Sequence, residues 1–541
     1  MPLRPAGFEP GVSGLDFLSD GRLVICTWGG QRDKLATVSA KGELFIVSGV
    51  TGDDPAKVTF KKVATGLEEP LGLKVVDDQI YLGERTKLVR MVDKDGDSLF
   101  ETKEKVADAP GGASRSEWFY GLIYKSGYFY ANFALGFDDG GTISVPQPHP
   151  NRGTVARISK ADGKIEYLAG GFRTHNGIAF GPDDEIFVTD NQGQWMPSCK
   201  FVNVRKGRYY GVKPAGDFES KTVTPPTAWL PYGESSISAS SPIYIAAGPY
   251  AGQFFFGDVN YGGLQRIFVE KVNGEWQGAV FLHSQGLEAG SNRMVWGPDG
   301  ALYVGGIGTG TDWMQPGKKA FGLEKLKPTG IQPFEMVSVR SRSGGMEIEF
   351  SKDVGASASV PANYEARTWT FAPSIEYGAG NKQQNTALTV ARVEVHTDKR
   401  RVFLEIPGLK PGWLAYIHLK NVSSAAGEKP WATEAWYTLN NISPSAPFSP
   451  TTRIGKAGLA PGGARSIPVA RAGRDLLKVG LPDLSGTYVI TVHDARGGLR
   501  GQAEGRGGSE VLVRLLSNTG GTLLIRLRGG SGELRRLVAL P

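Results

Sequence analysis

The chain has little cysteine, few charges and no long apolar run, and each shortage excludes something. Cys26 and Cys199 are too few for a disulfide framework. No CxxC pair or His/Cys cluster offers a zinc site. Apolar runs stay near four to seven residues, so no segment reads as a membrane span. Charged residues make up only 21% of the chain, and the first 440 residues contain no long amphipathic helical stretch. Glycine and proline are plentiful, at 75 and 33 of 541 residues, which suits a turn-rich β protein. That length exceeds one ordinary core and predicts several domains.

The net charge of +7 is unevenly spread. Residues 441–541 hold 14 Lys and Arg against 6 Asp and Glu, whereas the preceding 440 hold 47 against 48. The main body therefore has no general attraction for nucleic acid, and the basic excess belongs to one terminal module. The opening MPLRPAGFEP carries no secretory leader, which predicts either a cytosolic chain or one whose leader has been removed.

A repeat of about 50–60 residues organises the first part. GLDFLSDGRLVICT, GLKVVDDQIYLGER, GLIYKSGYFYANFA, GIAFGPDDEIFVTDN and RMVWGPDGALYVGG begin at Gly14, Gly72, Gly121, Gly177 and Arg293. Each is a short apolar strand, an Asp/Gly turn and a second strand, the composition of a β-hairpin. A looser copy, SPIYIAAGPYAGQFFFGDVN, begins at Ser241. Further strand pairs follow most copies. Six units of four strands predict an all-β chain led by a six-bladed β-propeller over residues 1–328. Residues 331–440 read as an Ig-like β-sandwich, 441–475 as a linker rich in Pro, Gly and Ser, and 476–541 as a small β-rich module.

The stretches LEEPLGLKVVDDQIYLGERTKLVRMVDKDGD, RTHNGIAFGPDDEIFVTDNQGQW, GRYYG, GPYAGQFFFGDVNYGGLQRI and NRMVWGPDGALYVG resemble the glucose/sorbosone dehydrogenase propeller family. The final segment, with ITVHDARGGLRGQAEG and LLIRLRGGSGELRRLVAL, looks like a type IX secretion sorting module. The first resemblance implies sugar oxidation with pyrroloquinoline quinone and calcium. The second implies a secreted or cell-surface protein, attached or exported through its C-terminal module. The family's catalytic His falls at Trp118 and its cofactor-contacting Lys at Asn260. Its Arg-Asn pair falls at Arg173 and Thr174, with Asn176 nearby, and an Arg of the last blade is kept as Arg293. The resemblance thus implies an inherited fold with an altered quinone site.

Several loop residues are candidates in their own right. Arg173, His175 and Asn176 enter one blade hairpin, where a His beside an Arg suits a base or an anion clamp. Asp190, Asn191 and Trp195 leave it, and acid, amide and aromatic side chains together suit sugar recognition. For Asp190 the competing expectation is a turn-closing role. Glu117, with Trp118 and Tyr120, is the acid nearest the vacated catalytic position, a candidate general acid. Tyr209 and Asn260 complete the candidate substrate contacts. His149, Tyr210, Glu234, His283, Asp312 and Trp313 are weaker loop candidates. Trp369, Trp413, Trp431 and Trp436 read as core or interface.

DKDGDSLFETKE places Asp93, Asp95, Asp97, the Leu99 carbonyl, Glu101 and Glu104 at positions 1, 3, 5, 7, 9 and 12 of an EF-hand-like calcium loop. Ser98 stands where that loop has its glycine, and no helices flank it, so a calcium-stapled β-turn is expected.

Three functions compete: a sugar oxidoreductase with a degenerate quinone site, a polysaccharide lyase or glycoside hydrolase at the propeller mouth, and a non-catalytic glycan-binding protein. All three take a carbohydrate partner and none takes nucleic acid.

Overall fold

Short β-branched and aromatic runs punctuated by Gly and Asp turns form successive antiparallel meanders. Blade 1 comprises Val12–Phe17, Leu23–Thr27, Gly42–Ser48 and Thr59–Leu67. Blade 2 comprises Gly72–Val76, Gln79–Glu84, Lys87–Val92 and Thr102–Asp108, and blade 3 Phe119–Lys125, Tyr128–Phe133, Thr154–Ser159 and Ile165–Gly170. Blade 4 comprises Gly177–Phe180, Ile186–Asp190, Cys199–Val204 and Ala228–Leu230, and blade 5 Ala239–Tyr244, Phe254–Asp258, Tyr261–Val272 and Glu275–Gln285. Blade 6 has Gly290–Trp296, Leu302–Ile307 and Phe321–Leu326. The first strand of each blade packs on that of the next, and the sixth packs back on the first. A closed ring of six blades around a central channel follows, the predicted propeller.

This computed structural model describes residues 1–449 apart from 31–37, 113–116, 139–141, 214–221, 310–312 and 378–381, together with seven strands between 469 and 540. Asp312 and most of the expected linker lie outside the described residues.

Ring closure uses a device the repeat pattern does not contain. Blade 6 has three strands of its own, and the extreme N-terminus takes the fourth place. Pro2 pairs with Glu324, Leu3 donates to the Leu323 carbonyl at 2.8 Å, and Lys325 donates to the Met1 carbonyl at 2.9 Å. Joining the two ends of the ring removes an open sheet edge.

Apolar side chains fill the spaces between blades. Between blades 4 and 5, Phe187 stacks on Phe201 at 5.2 Å between centroids and meets Phe254 at 4.9 Å. Cys26 and Cys199 are buried free thiols in blades 1 and 4, and burial pushes each pKa up to about 12.

Residues 331–440 form two layers, one of them continuous with the propeller. Tyr364–Phe371, Lys382–Leu388, Trp413–Leu419 and Glu434–Leu439 extend blade 5 into one eight-stranded sheet. The join pairs Gly278 with Thr438, Ala279 with Tyr437 and Val280 with Trp436. The opposing layer is Met336–Arg342, Gly345–Phe350, Arg401–Glu405 and Arg392–Val395. Phe268 and Phe281 of blade 5 share one buried cluster with Met346, Ile348, Leu404 and Ile417. Trp369 and Trp436 are fully buried, as expected of core residues, while Trp431 is 51% exposed.

The chain divides into Met1–Ile454 and Gly455–Pro541. The second unit contains a three-stranded and a four-stranded antiparallel sheet.

Candidate functional site

In each blade the loop entering the first strand and the loop leaving the second lie on the same face, so most candidates gather at one mouth of the channel. Three tryptophans meet there. Trp28 follows the second strand of blade 1, Trp118 precedes the first strand of blade 3, and Trp313 lies beyond the second strand of blade 6. Blades 3 and 6 are opposite one another, so their side chains touch only across the channel. Trp118 and Trp313 lie 5.7 Å apart, Trp28 and Trp313 5.6 Å, and Trp28 and Trp118 6.3 Å. Tyr120 packs beneath Trp118 at 5.6 Å. Leu71, Ala134, Val259 and Ile307 complete this buried cluster.

Arg293 crosses the channel on the same axis. Its guanidinium donates to the carbonyls of Ser13 and Leu71 at 3.0 and 2.7 Å, to Asn176 Oδ1 at 2.8 Å and to Asn292 Oδ1 at 3.0 Å. Those partners come from blades 1, 2, 4 and 6. Burial lowers the Arg293 pKa to about 10 and raises that of Tyr120. Five donors facing interior acceptors make Arg293 and Asn176 a tie between blades.

A quinone does not fit this mouth. An aromatic tricarboxylate needs an open bowl with cations facing it, and here indole rings fill the axis. Trp118 donates Nε1–H to buried Glu69 at 3.3 Å, and Arg85 binds the same carboxylate at 3.2 Å. The Asn260 backbone N–H donates to Asp258 at 2.8 Å.

The blade-4 hairpin divides its candidates differently. Asp190 is fully buried and accepts the backbone N–H groups of Arg173 at 3.0 Å and Thr174 at 2.8 Å. Asp258 does the same in blade 5 for Ile237 and Ser238, at 2.7 and 2.9 Å, and Glu84 in blade 2 for Glu68, at 2.9 Å. The acid ending the second strand thus pins the loop that enters the first. His175 is fully buried, stacks on Phe172 at 4.8 Å and holds the Thr154 carbonyl through Nε2 at 2.8 Å. Burial lowers its pKa to about 4. It is a neutral interior imidazole, closed to any ligand, and not the base or clamp its neighbours suggest. Tyr209 is buried against Gly171, and Asn191 Nδ2 donates to Ser238 Oγ at 3.0 Å.

Trp195 is different. It sits at the tip of a tight turn closed by mutual hydrogen bonds of Gly193 and Met196, with φ at 61°. A bulky residue in the left-handed region is an outlier. Its ring is half-buried on Met196, Leu135 and Val212, with Lys213 Nζ 5.6 Å from the ring centre. The second module reaches this turn. Ser374 accepts the Trp195 N–H at 2.7 Å, and the Tyr377 hydroxyl accepts from Gln192 Nε2 at 2.9 Å. Tyr377 is 55% exposed, and the Arg173 guanidinium lies between its ring and that of Phe137, at 5.5 and 4.6 Å. Two partly open aromatic faces, amides and a cation form a shelf over blade 4. Tyr377 carried no local signal, because it comes from another module.

Glu117 is placed with His149, which the sequence left apart; their carboxylate and ring nitrogen lie 2.9 Å from one another. Other weak candidates are structural: Glu234 accepts from Trp436 Nε1 at 2.8 Å, Tyr210 donates to the Asn203 carbonyl at 2.7 Å, and His283 packs on Phe255 at 4.7 Å.

In the acidic loop, Asp93, Asp95 and Glu101 bring carboxylate oxygens within 4.8 Å of one another and are the groups able to hold a cation. Asp97 instead accepts the Leu99 N–H at 2.7 Å. Glu104 departs from the expected ligand set: it lies opposite Arg90 across a strand pair, and its carboxylate binds that guanidinium at 3.1 Å.

No protein-family model and no curated protein matches the chain. Among solved structures it is similar to the PQQ-bound aldose sugar dehydrogenase of Streptomyces coelicolor, with 17% identity, a TM-score of 0.43, and coverage of 60% of this chain and 97% of that one. A glucose dehydrogenase matches with 13% identity, a TM-score of 0.40, and coverage of 61% and 99%. The pyranose dehydrogenase PQQ domain of Coprinopsis cinerea matches with 13% identity, a TM-score of 0.39, and coverage of 58% and 93%.

Proposed function

We propose that this chain is a secreted carbohydrate-binding propeller that does not use quinone chemistry. The observation that carries the reading is Trp195, held at φ 61° and half-buried beside the exposed Tyr377. Strained backbone at an aromatic tip is a feature of ligand sites. A pyranose presents an apolar face to an aromatic ring and hydroxyls to amides and cations, the groups gathered on this shelf. Retaining the propeller while filling the channel mouth is consistent with a fold whose function has moved to another surface. Asp93, Asp95 and Glu101 hold calcium in a structural role, and the basic C-terminal unit serves export or cell-surface attachment.

The test is calorimetric titration with a panel of soluble polysaccharides and oligosaccharides. Binding that falls about 2- to 10-fold in Trp195→Ala and in Tyr377→Ala supports the reading, since an aromatic contact contributes roughly 0.5–1.5 kcal/mol. Binding unchanged in both variants refutes it.

A further inference from the structure

Radially outward of Trp118, blade 3 holds a carboxylate–imidazole pair. The Glu117 side chain is fully buried, whereas that of His149 is 39% exposed. His149 Nδ1 lies 2.9 and 3.1 Å from the two Glu117 oxygens. An ionised carboxylate only accepts, so Nδ1 carries the hydrogen and Nε2 presents its lone pair. Arg152, buried on the inner side with Nε 3.8 Å from Glu117, balances the acid's charge, and Gly112 donates its N–H to Oε2 at 2.9 Å. The backbone is cleared for the pair: a Cβ on Gly111 would lie 2.2 Å from His149 Nδ1, and one on Gly136 3.2 Å from Glu117 Cγ. The contrast with other histidines is direct. His396 and His418 also face carboxylates, but those are 38% and 41% exposed and screened by water. His175 is fully buried, and His283 packs on Phe255 and Tyr250 with no carboxylate partner among the described residues.

We propose that His149, oriented by Glu117, is a general base that activates water against a carboxylic ester. The chemistry follows from what surrounds the ring. Ordinary glycoside hydrolysis needs a carboxyl group on each side of the scissile bond, and among the described residues the acid at this ring, Glu117, is enclosed behind the imidazole. Elimination from a uronate needs a cation on the substrate carboxylate, and the arginine beside Glu117 among the described residues, Arg152, is turned inward, donating to the Trp118 carbonyl at 3.1 Å. Ester hydrolysis uses water and a positioned base, with the tetrahedral oxyanion at this half-exposed ring stabilised by solvent. Nε2 takes one proton as the water oxygen attacks the acyl carbon. The acyl C–O bond then breaks, and the imidazolium returns the proton to the leaving alkoxide. Ester and water become acid and alcohol with no oxidant or metal. The proposal stands independently of the glycan shelf.

The experiment follows hydrolysis of 4-nitrophenyl acetate by the full chain. Saturable turnover is expected, with kcat reduced at least about 100-fold in His149→Gln and unchanged in the control His418→Gln. Glu117→Gln, which alters positioning alone, lowers kcat with KM unchanged. A wild-type kcat equal to that of His149→Gln overturns the proposal. Because Glu117 is buried beside Arg152, a second readout uses the unsubstituted protein. A nitrogen spectrum of histidine-labelled chain, assigned by the signal lost in His149→Gln, is expected to place the neutral-ring hydrogen on Nδ1. A hydrogen on Nε2 overturns the proposal.

Discussion

Replacing Trp195 with glycine and with alanine separates backbone strain from side-chain contact. Both changes remove the indole and its half-buried packing on Met196, Leu135 and Val212. They differ only in what the backbone tolerates at φ 61°. A residue with a Cβ costs roughly 1–2 kcal/mol in the left-handed region. Glycine costs roughly 0.5–1 kcal/mol more than alanine through the freedom of its unfolded chain. Strain wins, and Trp195→Gly should be more stable than Trp195→Ala by about 0.5–1 kcal/mol. At an ordinary negative φ the order reverses, so the sign alone decides. The assay is urea unfolding of the two variants, compared at their midpoints with a common slope. Alanine equal to or above glycine would refute the strained-turn argument. The same variants should both lose glycan binding, so strain relieved by glycine without recovered binding marks the indole at Trp195 as the binding element.

Asp190→Asn and Asp258→Asn should each destabilise the protein by about 1–3 kcal/mol, because each weakens charge-assisted bonds from backbone N–H groups; thermal melting reads both, and an Asp190 effect confined to binding would contradict its pinning role. His175 and His283 have pKa values lowered by burial from 6.5 to about 4 and about 3, so the unfolded chain takes up protons first as pH falls. Stability is therefore lost progressively from pH 6.5 down through the folded values, by roughly 3 kcal/mol for the His175 shift and roughly 5 kcal/mol for the His283 shift. His283→Phe, which fits beside Phe255, should flatten that decline, as read by melting temperature against pH. Added calcium should raise the melting temperature, and Asp95→Asn should abolish the rise.

Much of the fold was legible because a blade is a local object. The Asp/Gly turns at 77–78 and 183–184 adopt positive φ, as hairpin turns require. The acid closing the second strand recurs in LGER, VTDN and FGDVN, and the structure gives all three the pinning role that the turn-closing expectation assigned to Asp190 alone. What escaped was non-local. Pro2 carries no strand pattern and pairs with Glu324 only because the ring closes. Trp28, Trp118 and Trp313 meet because blades 3 and 6 face across the channel, a relation no spacing contains. Glu104 fitted the calcium spacing, but strand alternation turned it onto Arg90. His149 and Glu117 come from different loops of one blade, and neither loop alone indicates the pair.

The central claim is that side chains fill the mouth where a quinone would lie, and calorimetric titration of the calcium-loaded protein with pyrroloquinoline quinone tests it most directly. The account predicts no binding heat and no sugar-dependent reduction of an added dye. Stoichiometric binding with bleaching by sugar would mean that Trp28, Trp118 and Trp313 open to admit the cofactor, and would contradict it.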